Sequence, residues 1–191
     1  MNILSIDQSL TSSGVCVYTG DFNNTEIFTI NPKKKRGAER LVFIREILKE
    51  KLIKNKIELL VMEEYAFAAK GQTFAIGEGG GIIRVAAYDL GIPYFAMDIG
   101  THKIYSTGRG DTKKEMMLLE IYKRYGVSSN NDDEADAMSL LMFTLGLIDY
   151  LHGGKDSRTG KEFNATQLRA LLTLNEKLKS EYADIHALLS K

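Results

Sequence analysis

The chain holds 191 residues, a length for one domain or one domain with an appendage, and its 25 Lys and Arg are balanced by 25 Asp and Glu. A single cysteine, Cys16, excludes an intramolecular disulfide and suits a reducing compartment. No run approaches the ~18 apolar residues of a membrane span and no signal-peptide pattern opens the sequence, so a cytoplasmic protein with no membrane partner is expected.

Residues 1–7 (MNILSID) run apolar and end on Asp7, which predicts a buried strand with an acid at its tip. Residues 14–18 and 25–30 are apolar and β-branched, separated by a turn signal over 20–24, so three short strands in series predict an antiparallel meander. The basic run Lys33, Lys34, Lys35, Arg36 follows, within a stretch (31–60) that carries ten Lys and Arg against four Glu. Over 38–55, Leu41, Ile44, Ile47, Leu48 and Leu52 recur at helical spacing. Residues 59–63 (LLVME) are a second buried strand ending on acid; 74–90 reads as a helix interrupted by Gly77, Gly79, Gly80 and Gly81, and 93–99 as a fifth strand. Residues 113–125 predict a helix, in a stretch (102–125) with six basic residues against three acidic. Another is predicted over 133–151, with an apolar face of Ala137, Leu140, Leu141, Phe143 and Leu147, where residues 126–150 hold five acids and no Lys or Arg. Net neutrality, which speaks against a nucleic-acid binder, is therefore a cancellation between basic and acidic stretches. The glycine-rich 153–160 (GGKDSRTG) reads as a linker. Beyond it Leu171, Leu174, Leu178, Ile185 and Leu188 form a stripe on a terminal helix, a packed core or a dimer face. The expected division is a domain over 1–151, a linker over 152–164 and a C-terminal helix over 165–191, with an α/β fold in which helices flank a mixed sheet.

Four acids stand out by position. Asp7 and Glu63 each end a predicted buried strand, and Asp133 and Asp136 lie three apart, hence on one helix face. If the two strands are neighbours, the acids meet at one edge of the sheet, where their repulsion calls for a cation. An all-oxygen ligand set favours Mg²⁺ or Mn²⁺. One cysteine and three histidines (His102, His152, His186) offer no zinc spacing. Taken singly, Asp133 with Asp132 suits a helix N-terminus, Asp7 a turn cap and Glu63 a lysine partner. Residues 108–114 (GRGDTKK) lack the GK[ST] ending of a phosphate-binding loop, and no strand feeds directly into GEGGG at 77–81.

In order and content, these pieces resemble the RuvC family of Holliday junction resolvases, within the ribonuclease H-like superfamily. ILSIDQSLTSSGVCV (3–17) resembles the family's opening acidic strand and hairpin, and VMEEYAF (61–67) its second acidic strand. GGGIIRVAAYDLGIPYFAMDIGTHKIYSTGRGDTKKEMM (79–117) resembles the helix, strand and TGxGxxxK segment, and DEADAMSLLM (133–142) the DxxDAxxxA helix. The resemblance covers about residues 1–148. It implies a ribonuclease H-like mixed five-stranded sheet flanked by helices, followed here by a C-terminal helical extension. Asp7, Glu63, Asp133 and Asp136 would be the catalytic, metal-binding acids, with Glu64 and Asp132 as competitors one step off the motif. Lys103 and Lys114 fall where the family places phosphate-contacting lysines, Lys114 also compensating charge that develops at phosphorus. Arg109 and the run Lys33, Lys34, Lys35, Arg36 join the DNA-contacting set. In the family an aromatic soon after the second acid wedges into the junction; Tyr65 and Phe67 flank that spot, which Ala66 occupies.

The implied activity is hydrolysis of phosphodiesters with two Mg²⁺ ions per site, Mn²⁺ substituting, in which a homodimer resolves a four-way DNA junction by paired nicks. A nuclease of broader taste, cutting flaps, forks and three-way branches, is the alternative, and a non-catalytic branched-DNA binder a further one. An actin-like ATPase would need two such domains, for which 191 residues are too few. The small, lone-domain form suits a phage-encoded enzyme.

Overall fold

Strands β1 (Ile3–Asp7), β2 (Ser13–Tyr18), β3 (Glu26–Ile30), β4 (Leu59–Glu63) and β5 (Tyr94–Met97) form one sheet in the order β3-β2-β1-β4-β5. The computed structural model describes residues 1–9, 11–64 and 73–191, apart from the side chains of residues 73–75, 99 and 114. The first three strands are the expected antiparallel meander, and β4 and β5 then add parallel to β1. Helix α1 (Gly37–Lys54) precedes β4 and helix α2 (Thr73–Asp89) follows it. Beyond β5 come α3 (Ile99–Thr107), α4 (Lys114–Tyr125), α5 (Asp132–Leu151), α6 (Ala165–Glu181) and α7 (Ala183–Leu189). This is the mixed five-stranded sheet flanked by helices that the ribonuclease H-like resemblance implies.

Both faces of the inner strands β1, β2 and β4 are covered, so these are buried almost end to end and alternation appears only in which core each residue joins. Leu4, Ile6, Val15, Val17, Leu60 and Met62 pack with α1 and α2. Ile3, Cys16, Leu59 and Val61 pack with α3 to α7. Along β1 the second set continues through Ser5, whose hydroxyl donates to the Ala137 carbonyl of α5 at 2.7 Å, to Asp7. Helix α5 is buried from Glu134 to Leu147 except at Asp136, which makes it the central rod of that half of the molecule.

Two expectations change. The fifth strand, expected over 93–99, spans Tyr94–Met97, and Ile99 with the unassigned 100–107 forms helix α3. The terminal helix is two, broken at Tyr182 (φ −139°, ψ 52°). Of the two readings of the leucine stripe, the packed core fits: Leu171, Leu174, Leu178 and Ile185 are buried in the chain's own core and Leu188 is half-buried. The segment between α5 and α6 carries fixed contacts. Arg158, its side chain only 6% exposed, pairs with Asp149 (3.3 Å) and Asp156 (2.9 Å) and lies over the Tyr125 ring. Among the described residues no helix is long and apolar enough to cross a membrane.

Candidate active site

Strand polarity gathers the acids. β1 and β4 run parallel with Ile6 opposite Met62, so Asp7 and Glu63 stand side by side one step further on, at the same end of the sheet. Both share the parity of Ile3 and Val61 and so face α5, whereas Glu64 faces the other way and pairs with Arg84 of α2 at 3.3 Å. Of that tandem, only Glu63 belongs to this face. In β2 the partner of Asp7 is Gly14, and a Cβ there would lie 1.8 Å from the Asp133 carbonyl oxygen. Only glycine lets the first turn of α5 settle onto the strand and bring Asp133 beside Asp7.

Hydrogen bonds fix that turn. Asn131 caps α5 by accepting from the Glu134 amide at 2.9 Å, and Ser12 donates to the Asp133 carboxylate. The buried Glu134 accepts from Thr29 of β3 (3.0 Å) and from the Asn130 backbone and side-chain amides (2.8 and 3.1 Å). Glu134→Ala deletes a charge-assisted set worth about 2–3 kcal/mol. The expected result is a fall in melting temperature of roughly 4–12 °C by scanning calorimetry.

Electrostatically Asp7 sits among negative charge. Asp7 is 8% exposed, and burial first, then Glu63, Asp136 and Asp133, push its carboxyl well above the ordinary value, against the pull of Lys103. For Glu63 burial acts upward too, but the hydrogen bond and charge of His102, with Lys103 and a hydrogen bond from Asp7, outweigh it and hold the group below its usual value. Asp7 thus feels the charge of each of the other three acids. Among the described residues no three His, Cys, Asp or Glu side chains close around a single point as a ready metal cage.

Helix α3 supplies the polar partners. Lys103 Nζ lies 3.3 Å from Asp136 Oδ2, and the adjacent His102, wholly buried, places Nε2 2.9 Å from Glu63 Oε1. His102 was weighed in the sequence only as a zinc ligand. Its signal lay in Gly108, which closes α3 in the left-handed conformation (φ 84°), a helix stop that would have revealed the helix. Of the competitors, Glu64 is on the opposite face, while Asp132 stays close, lining with Asp136, Lys103, Thr112 and Met117 a cavity of about 40 Å³.

The basic candidates divide. Because β3 ends at Ile30, opposite Ser13, the run Lys33, Lys34, Lys35, Arg36 leaves the sheet at the acidic end. Lys33, Lys34 and Arg36 are exposed, and Lys35 pairs with Glu39 at 2.6 Å. Arg109 is exposed just past α3 and pairs with Asp111 at 3.1 Å. Lys114 opens α4; its side chain, like Tyr65 and Phe67, lies outside the described residues.

No family model matches the chain. A crossover junction endodeoxyribonuclease RuvC of Carboxydothermus hydrogenoformans is 30% identical over 148 residues, covering 73% of this chain and 92% of that protein. The RuvC of an Anaeromyxobacter species is 28% identical over 111 residues, covering 57% of this chain and 54% of its own. Among solved structures, Thermus thermophilus RuvC in complex with a Holliday junction substrate superposes with a TM-score of 0.62 at 23% identity, covering 73% of this chain and 90% of that one, a likeness of fold. Given the identity and coverage of the first of these relatives, the chain belongs to the RuvC family.

Proposed function

We propose that this chain is a divalent-metal-dependent endodeoxyribonuclease that resolves four-way DNA junctions by paired nicking as a homodimer. The observation that carries this reading is the convergence of Asp7, Glu63, Asp133 and Asp136, from two strands and one helix, on one face at one end of the sheet. Such a set suits hard cations: the donors are all oxygen, and the Asp7 carboxyl is pushed upward by burial and by three neighbouring carboxylates, whose repulsion a cation would relieve. Asp7, Glu63, Asp133 and Asp136 hold the ions, Mg²⁺ by preference with Mn²⁺ as a substitute. When bound, such ions supply an activated water and neutralise the leaving oxygen.

The chain's own groups do the rest. His102 and Lys103 keep Glu63 and Asp136 in place from the α3 side. Lys114, at the start of α4, compensates charge developing at the phosphate. Lys33, Lys34, Lys35 and Arg36, leaving the acidic end of the sheet, hold the DNA backbone together with Arg109, and Tyr65 or Phe67 stacks at the branch point. The same chain acts on DNA in a cytoplasmic setting.

Cleavage of four-way, three-way, flap and linear duplex DNA, with Mg²⁺ and with EDTA, tests the proposal. Symmetric nicks in the four-way junction, lost in EDTA, are expected. Cutting that persists in EDTA overturns the metal assignment, and cutting of flaps but not four-way junctions replaces the resolvase with the broader branched-DNA nuclease. Alanine at Lys33, Lys34 and Arg36 is expected to weaken junction binding without changing nick positions. In a salt titration each substitution lowers the slope of log affinity by about 1.

A further inference from the structure

His102 is wholly buried and both ring nitrogens are engaged. Nε2 lies 2.9 Å from Glu63 Oε1, and since the ionised carboxylate only accepts, the Nε2–H donates to it. Nδ1 lies 2.9 Å from Ser139 Oγ, and the same hydroxyl is 2.7 Å from Ser106 Oγ, one turn along α3 from the histidine. Whichever of Nδ1 and Ser139 donates, the Nε2–H points at Glu63. Ser139 sits on α5 three residues beyond Asp136 and six beyond Asp133, on the helix that Ser5 ties to β1 through the Ala137 carbonyl. The chain Glu63–His102–Ser139–Ser106 therefore joins the acid of β4 to the helix bearing two of the other acids. Beyond Glu63 it runs through buried side chains, His102, Ser139 and Ser106.

We propose that His102 is a positioning residue for Glu63: it holds Oε1 from the buried side and, through Ser139, sets the spacing between the β4 carboxylate and the two on α5. The inference rests on the metal-site reading above. An imidazole suits the task better than the nearby kind of cation, Lys103, would. It donates one directional hydrogen bond to Oε1 and leaves Oε2 free to ligate, whereas an ammonium ion competes for the whole carboxylate. Fixing the spacing matters because the free acids repel one another, and without a strut Glu63 can swing away from Asp7 toward solvent.

Binding of Mn²⁺ to the 191-residue chain without DNA, followed by the resonance signal of the free ion, tests this independently of cleavage. His102→Phe keeps the ring volume and removes both polar contacts; it is expected to weaken Mn²⁺ about 10- to 100-fold. His102→Gln, whose amide can still donate to Oε1, is expected to recover most of that loss, and Ser139→Ala to show a smaller loss. Wild-type affinity in His102→Phe overturns the proposal. So does His102→Gln binding as weakly as His102→Phe, because ring packing and not the hydrogen bond would then be what counts. Should His102→Phe fail to fold, Ser139→Ala decides, and unchanged affinity there overturns the strut. Absence of Mn²⁺ binding in the wild type itself, equal to Asp7→Asn, overturns the metal reading rather than the assignment of His102 alone.

Discussion

Replacing Asp7 by asparagine is expected to abolish strand cleavage, by at least about 10³-fold, while leaving junction binding intact and making the metal-free protein more heat-stable rather than less. Loss of a ligand accounts for the first effect. The second follows from burial and the three carboxylates that raise the Asp7 carboxyl above its ordinary value of 3.8. A carboxyl raised in the folded state takes up its proton more readily there than in the unfolded chain. Stability is therefore greatest below the ordinary value and falls as pH rises through the folded one. Asparagine carries no charge to lose, so its advantage grows with pH. In EDTA, scanning fluorimetry should show Asp7→Asn melting above wild type at pH 8, by roughly 2–4 °C for each kcal/mol of repulsion removed. The gap should close toward pH 4. Mg²⁺ should reverse the order by stabilising only the wild type. A variant that melts below wild type at pH 8 in EDTA would show that the acids are not crowded as described.

The second large effect comes from an added methyl group. Gly14→Ala puts a carbon 1.8 Å from the Asp133 carbonyl oxygen, and the obstacle is helix backbone, which cannot turn aside as a side-chain tip could. Either α5 lifts from β2 or β2 leaves β1, and both carry Asp133 away from Asp7. Overpacking of this kind costs about 1–3 kcal/mol or more. The expected outcome is a melting temperature lower by several degrees together with loss of cleavage out of proportion to it, since the folded remainder has a misaligned site. Gly77→Ala, in α2 with nothing within 4 Å of the new carbon, is the control and should stabilise slightly, by about 0.5–1 kcal/mol. Cleavage retained in Gly14→Ala would place the contact outside the machinery.

What was legible in the sequence was whatever a strand or helix writes locally. β1 and β4 announced themselves as apolar runs ending on acid, and α5 by its periodic apolar residues behind an acidic first turn. Their convergence required only that β1 and β4 be neighbours, which they are. The choice between Glu63 and Glu64 was not legible from pattern, because β4 is buried on both faces and shows no alternation to assign parity; it came from the family motif. Helix α3 escaped because Gly100, Thr101 and Thr107 weaken its helical character, and its N-cap, Asp98, makes no side-chain capping bond. With it went the placement of His102 beside Glu63, a contact across 39 residues. The role of Gly14 was hidden for the same reason: it depends on a residue 119 positions away. The terminal leucines looked the same in sequence whether they face another chain or this one.

The tandem Glu63–Glu64 has a consequence for how β4 finds its place. With Leu59 to Met62 apolar on both sides, a strand slid by one residue would bury much the same hydrocarbon, and oil alone could not tell the two alignments apart. The two glutamates can. Aligned as observed, one meets the imidazole of His102 and the other the guanidinium of Arg84, one partner on each side of the sheet. Slid by one, each would face the wrong layer and at least one charge would be buried without its match. The pair works as a two-toothed key at the end of a featureless blade, so the group proposed for chemistry also helps the chain choose its own alignment.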